Sequence, residues 1–218
     1  MLAADEGARL GKMLSPAAGG QYLAAHVLLR HALSQYAPIP ASAWRFVVNA
    51  HGRPAIDPSC GVTLGFSLSH TAGLVACLVG ESREIGVDVE LLGRRGAGLR
   101  LAERFFAPKE VEALRAARAP EREARFLELW TLKEAYVKAR GLGLALPLKT
   151  FAFTRCGDEI NIEMEAACAD VPAGWSFTLR RLASGHVVAT ALRASSGLAV
   201  SIEVISDEDV ARVLGRSD

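Results

Sequence analysis

Residues 84–92 read "EIGVDVELL": Ile85, Val87, Val89 and Leu91 bracket Asp88 and Glu90. In a β-strand residues i and i+2 face the same side, so this alternation predicts a strand with one hydrocarbon face. The other face carries two carboxylates side by side. Like charges that close repel, and each raises the other's pKa unless something positive sits between them. The stretch therefore predicts a strand and leaves open what positive charge sits between its two carboxylates.

The flanking sequence builds outward from that strand. "LGFSLSH" (64–70) and "LVACLVG" (74–80) are two more strands, joined by the tight turn "TAG" (71–73). Before them, "WRFVVN" (44–49) is a strand and "AHGRPAIDP" (50–58) a turn region. "GGQYLAAHVLLRHALSQY" (19–36) is an amphipathic helix, with Leu23, Val27, Leu29 and Leu33 at helical spacing. After residue 95 the period changes. "LAERFF" (101–106) leads into "APKEVEALRAA" (107–117), where Pro108 suits a first turn. "EREARFLELWTLKEAYVKAR" (121–140) is a long helix that stops at Gly141, with Pro147 beyond. Strands return in "KTFAF", "EINIEME", "WSFTLRRL", "HVVATAL" and "LAVSIEV", and a last helix begins near Ser206. "FSLSHTAGLVACL" and "FTLRRLASGHVVATAL" echo each other as strand, turn, strand. That echo fits two related α+β halves, residues 1–95 and 96–218.

Composition narrows the function classes. The 218 residues are 22% charged and 50% hydrophobic with a net charge of +1, an ordinary globular balance. No basic and aromatic cluster of the kind that grips nucleic acid is present. The longest apolar run, "GLVACLVG", is far short of the roughly 20 residues that cross a bilayer, so no membrane partner is expected. "MLAADEGARLGK" has acids where a secretion signal begins with base. Cys60, Cys77, Cys156 and Cys168 lack metal-ligand spacing and are read as reduced thiols. A cytoplasmic monomer is expected.

The long helix supplies the next unusual residues. Phe126, Leu129, Trp130 and Val137 form its apolar stripe, Lys133 falls inside that stripe, and Glu134 lies on its flank. Lys138 is one turn beyond Glu134. Such an i,i+4 pair is ordinarily a solvated ornament worth ~0.2–0.5 kcal/mol. Joined with Asp88 and Glu90, however, Glu134 completes an all-oxygen set of the kind that suits Mg²⁺ and phosphate co-ligands. On this reading the missing positive charge is a metal, and Lys133, Lys138, His70 and Arg53 hold phosphates.

These residues also carry a resemblance. "GRP" (52–54), "FSLSHT" (66–71), "IGVDVE" (85–90), "RFFAPKE" (104–110) and "WTLKEAYVKARGLGL" (130–144) resemble, in order and spacing, the motifs of 4′-phosphopantetheinyl transferases. The match is to the larger, surfactin-synthetase-activating type. The resemblance implies an α+β pseudodimer of two similar subdomains, each a small antiparallel sheet packed with a long helix. It implies coenzyme A in the cleft between them, and transfer of the phosphopantetheine arm to a serine of an apo acyl or peptidyl carrier protein, releasing adenosine 3′,5′-bisphosphate. Asp88, Glu90 and Glu134 match the family's metal-binding acids, and Lys138 matches the lysine near the pyrophosphate. Arg53, Ser69 and His70 match positions that contact coenzyme A. Glu134 is the candidate base for the serine, with a relay through water or Glu110 as the rival. Removing any one of the three acids is expected to relieve repulsion and leave apo stability unchanged or higher. Two other classes remain at this point: a non-catalytic carrier-binding protein, and a Mg²⁺-dependent phosphodiester hydrolase that uses water.

Two further expectations concern contacts at the edges of this site. Phe105 and Phe106 are adjacent, so both cannot face the core; the outward one is read as a carrier contact. The N-terminal segment that holds the nucleotide's 3′-phosphate in this family is rich in base, whereas "LSPAAGGQYLAAH" (14–26) has none, and Gln21 falls where arginine is common. A lost charge-assisted bond to phosphate costs ~1.5–3 kcal/mol. Calorimetry is expected to find coenzyme A and its dephospho form bound nearly alike; a preference of several hundredfold for coenzyme A would refute this.

Overall fold

A computed structural model of the chain describes residues 15–93 and 98–193, with Glu6, Gly7, Leu10, Gly11, Val200 and Ser201. Helix α1 spans Pro16–Tyr36, with Ser15 at its N-cap and Pro16 in its first turn. Val27, Leu29 and Leu33 are buried as their spacing predicts, and Leu23 is half-buried. Leu29 and Leu33 close a core with Trp44 and Phe66. Arg30, also fully buried, donates to the carbonyls of Ala41 and Trp44 and to Glu6.

Strands β1 (Phe46–Val48) and β2 (Pro54–Ile56) form a small hairpin. β3 (Gly65–Thr71) and β4 (Leu74–Gly80) form a second, turning on Gly73 at φ +78°. A side chain rarely adopts that angle, so this turn selects glycine. β5 (Ile85–Leu91) follows, then α2 (Gly98–Phe105), α3 (Pro108–Ala116) and α4 (Ala119–Arg140). α4 ends on Gly141 at φ +63°, whose N–H returns to the carbonyls of Val137 and Lys138. The chain continues as the hairpin β6 (Phe151–Cys156) and β7 (Glu159–Met164), then β8 (Trp175–Arg181) and β9 (His186–Arg193).

The fold is α+β with small antiparallel sheets. β9 lies between β5 and β8, pairing Asp88 with Ala189 and Thr178 with Thr190. The two sequence echoes are therefore both antiparallel hairpins, β3–β4 under α1 and β8–β9 under α4. The symmetry suggested by that echo is not perfect in space, because β5 precedes residue 95 yet pairs with β9. "LAVSIEV" and the helix near Ser206 lie outside the described residues, except Val200 and Ser201, which belong to no strand. All four cysteines are free.

Two devices fix β5. Its hydrocarbon face, Val87 and Val89, packs with Val188 and with Leu74, Ala76 and Leu78 of β4. Along its edge next to β3, hydroxyls replace a backbone ladder: Ser67 Oγ accepts the Val87 N–H at 3.1 Å, and Ser69 Oγ accepts the Val89 N–H at 3.3 Å. These bonds satisfy strand donors that burial would otherwise strand without water. Behind β5 lies α4, whose Ala135, Tyr136 and Ala139 share a core with Phe151, Phe153 and Ala189.

Gly86 sets how close helix and strand come. A Cβ there would lie 1.9 Å from the Ala135 carbonyl oxygen and 2.6 Å from the Ala139 nitrogen, both backbone atoms that cannot swing aside. Gly86→Ala is expected to destabilise the fold by about 3 kcal/mol, as overpacking in a rigid core does. Chemical denaturation reads this; wild-type stability in that variant would show that the contact is not tight.

Candidate active site

Asp88 sits on the β5 face that meets α4 and is buried. Its Oδ1 accepts from Ser69 Oγ at 2.7 Å and from Lys138 Nζ at 2.7 Å. Lys138 also donates to the Val87 carbonyl at 3.1 Å. The cation that the strand carboxylates require is thus present within the chain, as an ammonium one turn from Glu134. Lys138 reaches that carboxylate because Gly86 lets the helix approach.

Glu134 joins the same group. Burial first, then Asp88 and Glu90, push its pKa above the ordinary carboxylate value, while Lys138 pulls it back only in part. Strand and helix carboxylates therefore feel one another, as expected from their residue types. Asp88 Oδ2 is buried and has no hydrogen-bond partner among the described residues. An orphaned carboxylate oxygen beside surplus negative charge fits a hard divalent cation such as Mg²⁺. As the side chains stand, no three His, Cys, Asp or Glu residues among the described ones are gathered closely enough to hold an ion.

The remaining expected site residues divide. Ser69 serves Asp88 and β5 through the bonds already given, so its hydroxyl is a positioning group. His70, next along β3, is exposed at the strand end. Beyond it, Gln21 Nε2 donates to the Thr71 carbonyl at 2.8 Å, bringing α1 to this turn. Arg53 donates to the carbonyls of Ala139 at 2.5 Å, Arg83 at 2.6 Å and Ile85 at 3.0 Å. Its guanidinium thus closes the end of α4 onto the start of β5, a use its place between Gly52 and Pro54 did not disclose.

Lys133 and Glu110 stand apart from the carboxylates and pair with each other. Lys133 is fully buried and donates to the carbonyls of Leu148 at 2.8 Å and Phe151 at 2.7 Å. Its ammonium pairs with Glu110 Oε2 at 2.8 Å and lies over the rings of Phe151 and Phe106. Burial lowers its pKa to about 8, against the pull of Glu110. Glu110 also accepts from the N–H groups of Ala107 and Phe153. Together Lys133 and Glu110 pin α3, α4 and β6. A cavity of about 650 Å³ opens beside this pair, lined by Glu110, Leu129, Leu132 and Phe153, and includes none of Asp88, Glu90, Glu134 or Lys138.

Two residues that support the site's framework escaped the sequence reading. Ser67 shares the work of Ser69, and the signal was available in the alternation of "FSLSH". His186, buried, bonds the Ala72 carbonyl at 2.8 Å and Ser184 Oγ at 2.9 Å, tying the β8–β9 turn to the β3–β4 turn. Nothing local in the sequence marks that contact.

The two acids should respond oppositely to removal, which revises the expectation of uniform relief. Asp88→Ala leaves Lys138 and Ser69 without their acceptor and is expected to cost about 1–3 kcal/mol. Glu134→Gln should leave stability equal or higher at neutral pH. With its pKa raised on folding, Glu134 adds stability as pH falls and withdraws it as pH rises above the unfolded value. The gain from Glu134→Gln should therefore vanish below pH ~4. Thermal melts across pH decide this, and a loss in Glu134→Gln equal to that in Asp88→Ala would contradict it.

Residues 84–191 match the family model of the 4′-phosphopantetheinyl transferase superfamily. HetI, a 4′-phosphopantetheinyl transferase of Nostoc sp., is 35% identical over 145 residues, covering 66% of this chain and 61% of that protein. Sfp of Bacillus subtilis, another, is 32% identical over 139 residues, covering 63% and 60%. The chain spans about three fifths of the length of these relatives. A crystal structure of Thermotoga maritima holo-[acyl-carrier-protein] synthase shows a loose likeness, with a TM-score of 0.42 and 19% identity over 51% of this chain and 63% of that one. The stretch that carries Asp88, Glu90, Glu134 and Lys138 is thus the part of the chain that matches the 4′-phosphopantetheinyl transferase superfamily.

Proposed function

We propose that this chain is an enzyme that transfers the 4′-phosphopantetheine arm of coenzyme A to a serine of an apo acyl or peptidyl carrier protein. The observation that supports it best is the group formed by Asp88, Lys138 and Glu134, a cation and two acids held where helix meets strand. The serine oxygen bonds to the β-phosphorus, the bond from that phosphorus to the nucleotide side breaks, and adenosine 3′,5′-bisphosphate leaves. Glu134 takes the serine proton, directly or through water. Lys138 turns its ammonium to the leaving side of the pyrophosphate. Asp88, Glu90 and Glu134 would hold Mg²⁺, which neutralises charge developing on the phosphate oxygens. Ser69 keeps Asp88 oriented, and exposed His70 is the remaining candidate contact for coenzyme A.

On this reading the chain works as two like subdomains, residues 1–95 and 96–218, with coenzyme A between them. The paired hairpins, each covered by a long helix, support that division. No helix among the described residues is long and apolar enough to cross a membrane, which accords with a cytoplasmic enzyme. Incubation with coenzyme A and Mg²⁺, with and without apo carrier, tests the proposal by mass spectrometry. Transfer adds the arm to the carrier; cleavage without carrier would make the chain a hydrolase, and binding without either product a docking protein.

Phe105 is the proposed carrier contact. It is 37% exposed with Arg104 over its ring, whereas Phe106 is buried against Phe126 and Trp130. A net charge of +1 gives little long-range steering toward an acidic carrier, so local apolar contact carries more of the recognition. Phe105→Ala is expected to raise KM for carrier roughly tenfold, a loss of ~1.4 kcal/mol, with KM for coenzyme A and Tm unchanged. Equal effects on both substrates would exclude this role.

A further inference from the structure

A divalent cation on the unpartnered Oδ2 of Asp88 would lie close to the Lys138 ammonium on Oδ1. The ammonium already occupies Oδ1 at 2.7 Å, shared with the Ser69 hydroxyl, and is held a second time by the Val87 carbonyl. A doubly charged ion on the same carboxylate would face that ammonium across a site that is largely buried, where charges are poorly screened. The lysine side chain is still 30% exposed, and its anchor is a flexible chain of methylenes, so it has somewhere to swing. The backbone of β5, by contrast, is pinned by Ser67, Ser69 and the close contact at Gly86.

We propose that Lys138 is an internal stand-in for the metal, holding Asp88 until a divalent cation displaces it and frees its ammonium for the substrate's phosphates. This rests on the transferase reading above and adds to it an order of events. Without substrate, the ion meets the repulsion of an ammonium held beside it by Asp88 and the Val87 carbonyl, so the ion alone binds weakly. With coenzyme A present, the displaced ammonium gains a phosphate, and metal and substrate assist each other's binding by the same factor. The pair also keeps the buried acid neutralised in the empty enzyme, which the opening sequence motif requires.

The test is Mg²⁺ binding without coenzyme A, by calorimetry, in the wild type and in Lys138→Met. Methionine keeps the length of the side chain and removes its charge. Mg²⁺ is expected to bind Lys138→Met roughly tenfold more tightly than the wild type, within the usual range of coupling between sites. In the wild type, the ¹³C resonance of the Lys138 ε-methylene should shift as Mg²⁺ is added, because the ion pair opens. This second measurement needs no variant and holds if Lys138→Met does not fold. Equal or weaker binding in Lys138→Met, or a resonance unmoved at Mg²⁺ saturation, would overturn the stand-in role and leave the transferase reading intact. No Mg²⁺ binding to either protein, even with coenzyme A, would overturn the metal site as well.

Discussion

The approach of α4 to β5 at Gly86 is the contact on which the site depends. Helix and strand backbones touch there, with no room for even a methyl group. From that contact, the register of each element decides the rest. Asp88 is two residues along the strand from Gly86, on the same face. Glu134 flanks Ala135, one of the two residues that Gly86 touches, and Lys138 flanks the other, Ala139. A helix with a larger residue under it would ride higher and carry its glutamate and lysine away from the strand. The glycine that weakens a strand in isolation is here what lets two acids and an ammonium act on one another.

What surrounds the contact keeps it from shifting. Arg53 bonds carbonyls at both the end of α4 and the start of β5, spanning the two elements from outside. On the far side, Asp170 accepts from Tyr136, Trp175 and Arg193 and pairs with Arg140. Burial alone would raise the pKa of Asp170, but these donors outweigh it and hold the carboxyl below its usual range. The Lys133–Glu110 pair locks a third side, binding α4 to α3 and β6. A reacting group positioned by several independent ties needs little reorganisation when charge moves.

Much of this was legible in the chain itself. The helix ending at Gly141, the two echoing hairpins and the strand through Asp88 all follow from local pattern, because turn residues and periodicity act over a few positions. The choice between Phe105 and Phe106 followed from helical geometry as far as one inward and one outward ring. What could not be read were the partners of long polar side chains. Arg53 and Lys133 look like phosphate ligands because both are cations near suggestive motifs. Each in fact satisfies carbonyls at least 15 residues away, up to 86 away for Arg53. Burial decides such cases, and burial is a property of the assembled fold.

The two lysines of α4 show how one helix can use the same residue type in opposite ways. Lys133 points into the core, where three oxygens and two rings surround it; burial lowers its pKa, but its partners are part of the fold and go nowhere. Lys138, five residues on, has one carbonyl and one carboxylate, and keeps a third of its surface in water. Fully buried ion pairs are costly to break because a lone charge remains inside. A partly exposed one costs far less, since water takes over the freed group. The difference in burial makes the first lysine a fixture and the second a movable charge. The helix therefore presents to the site the one of its two cations that can change partners.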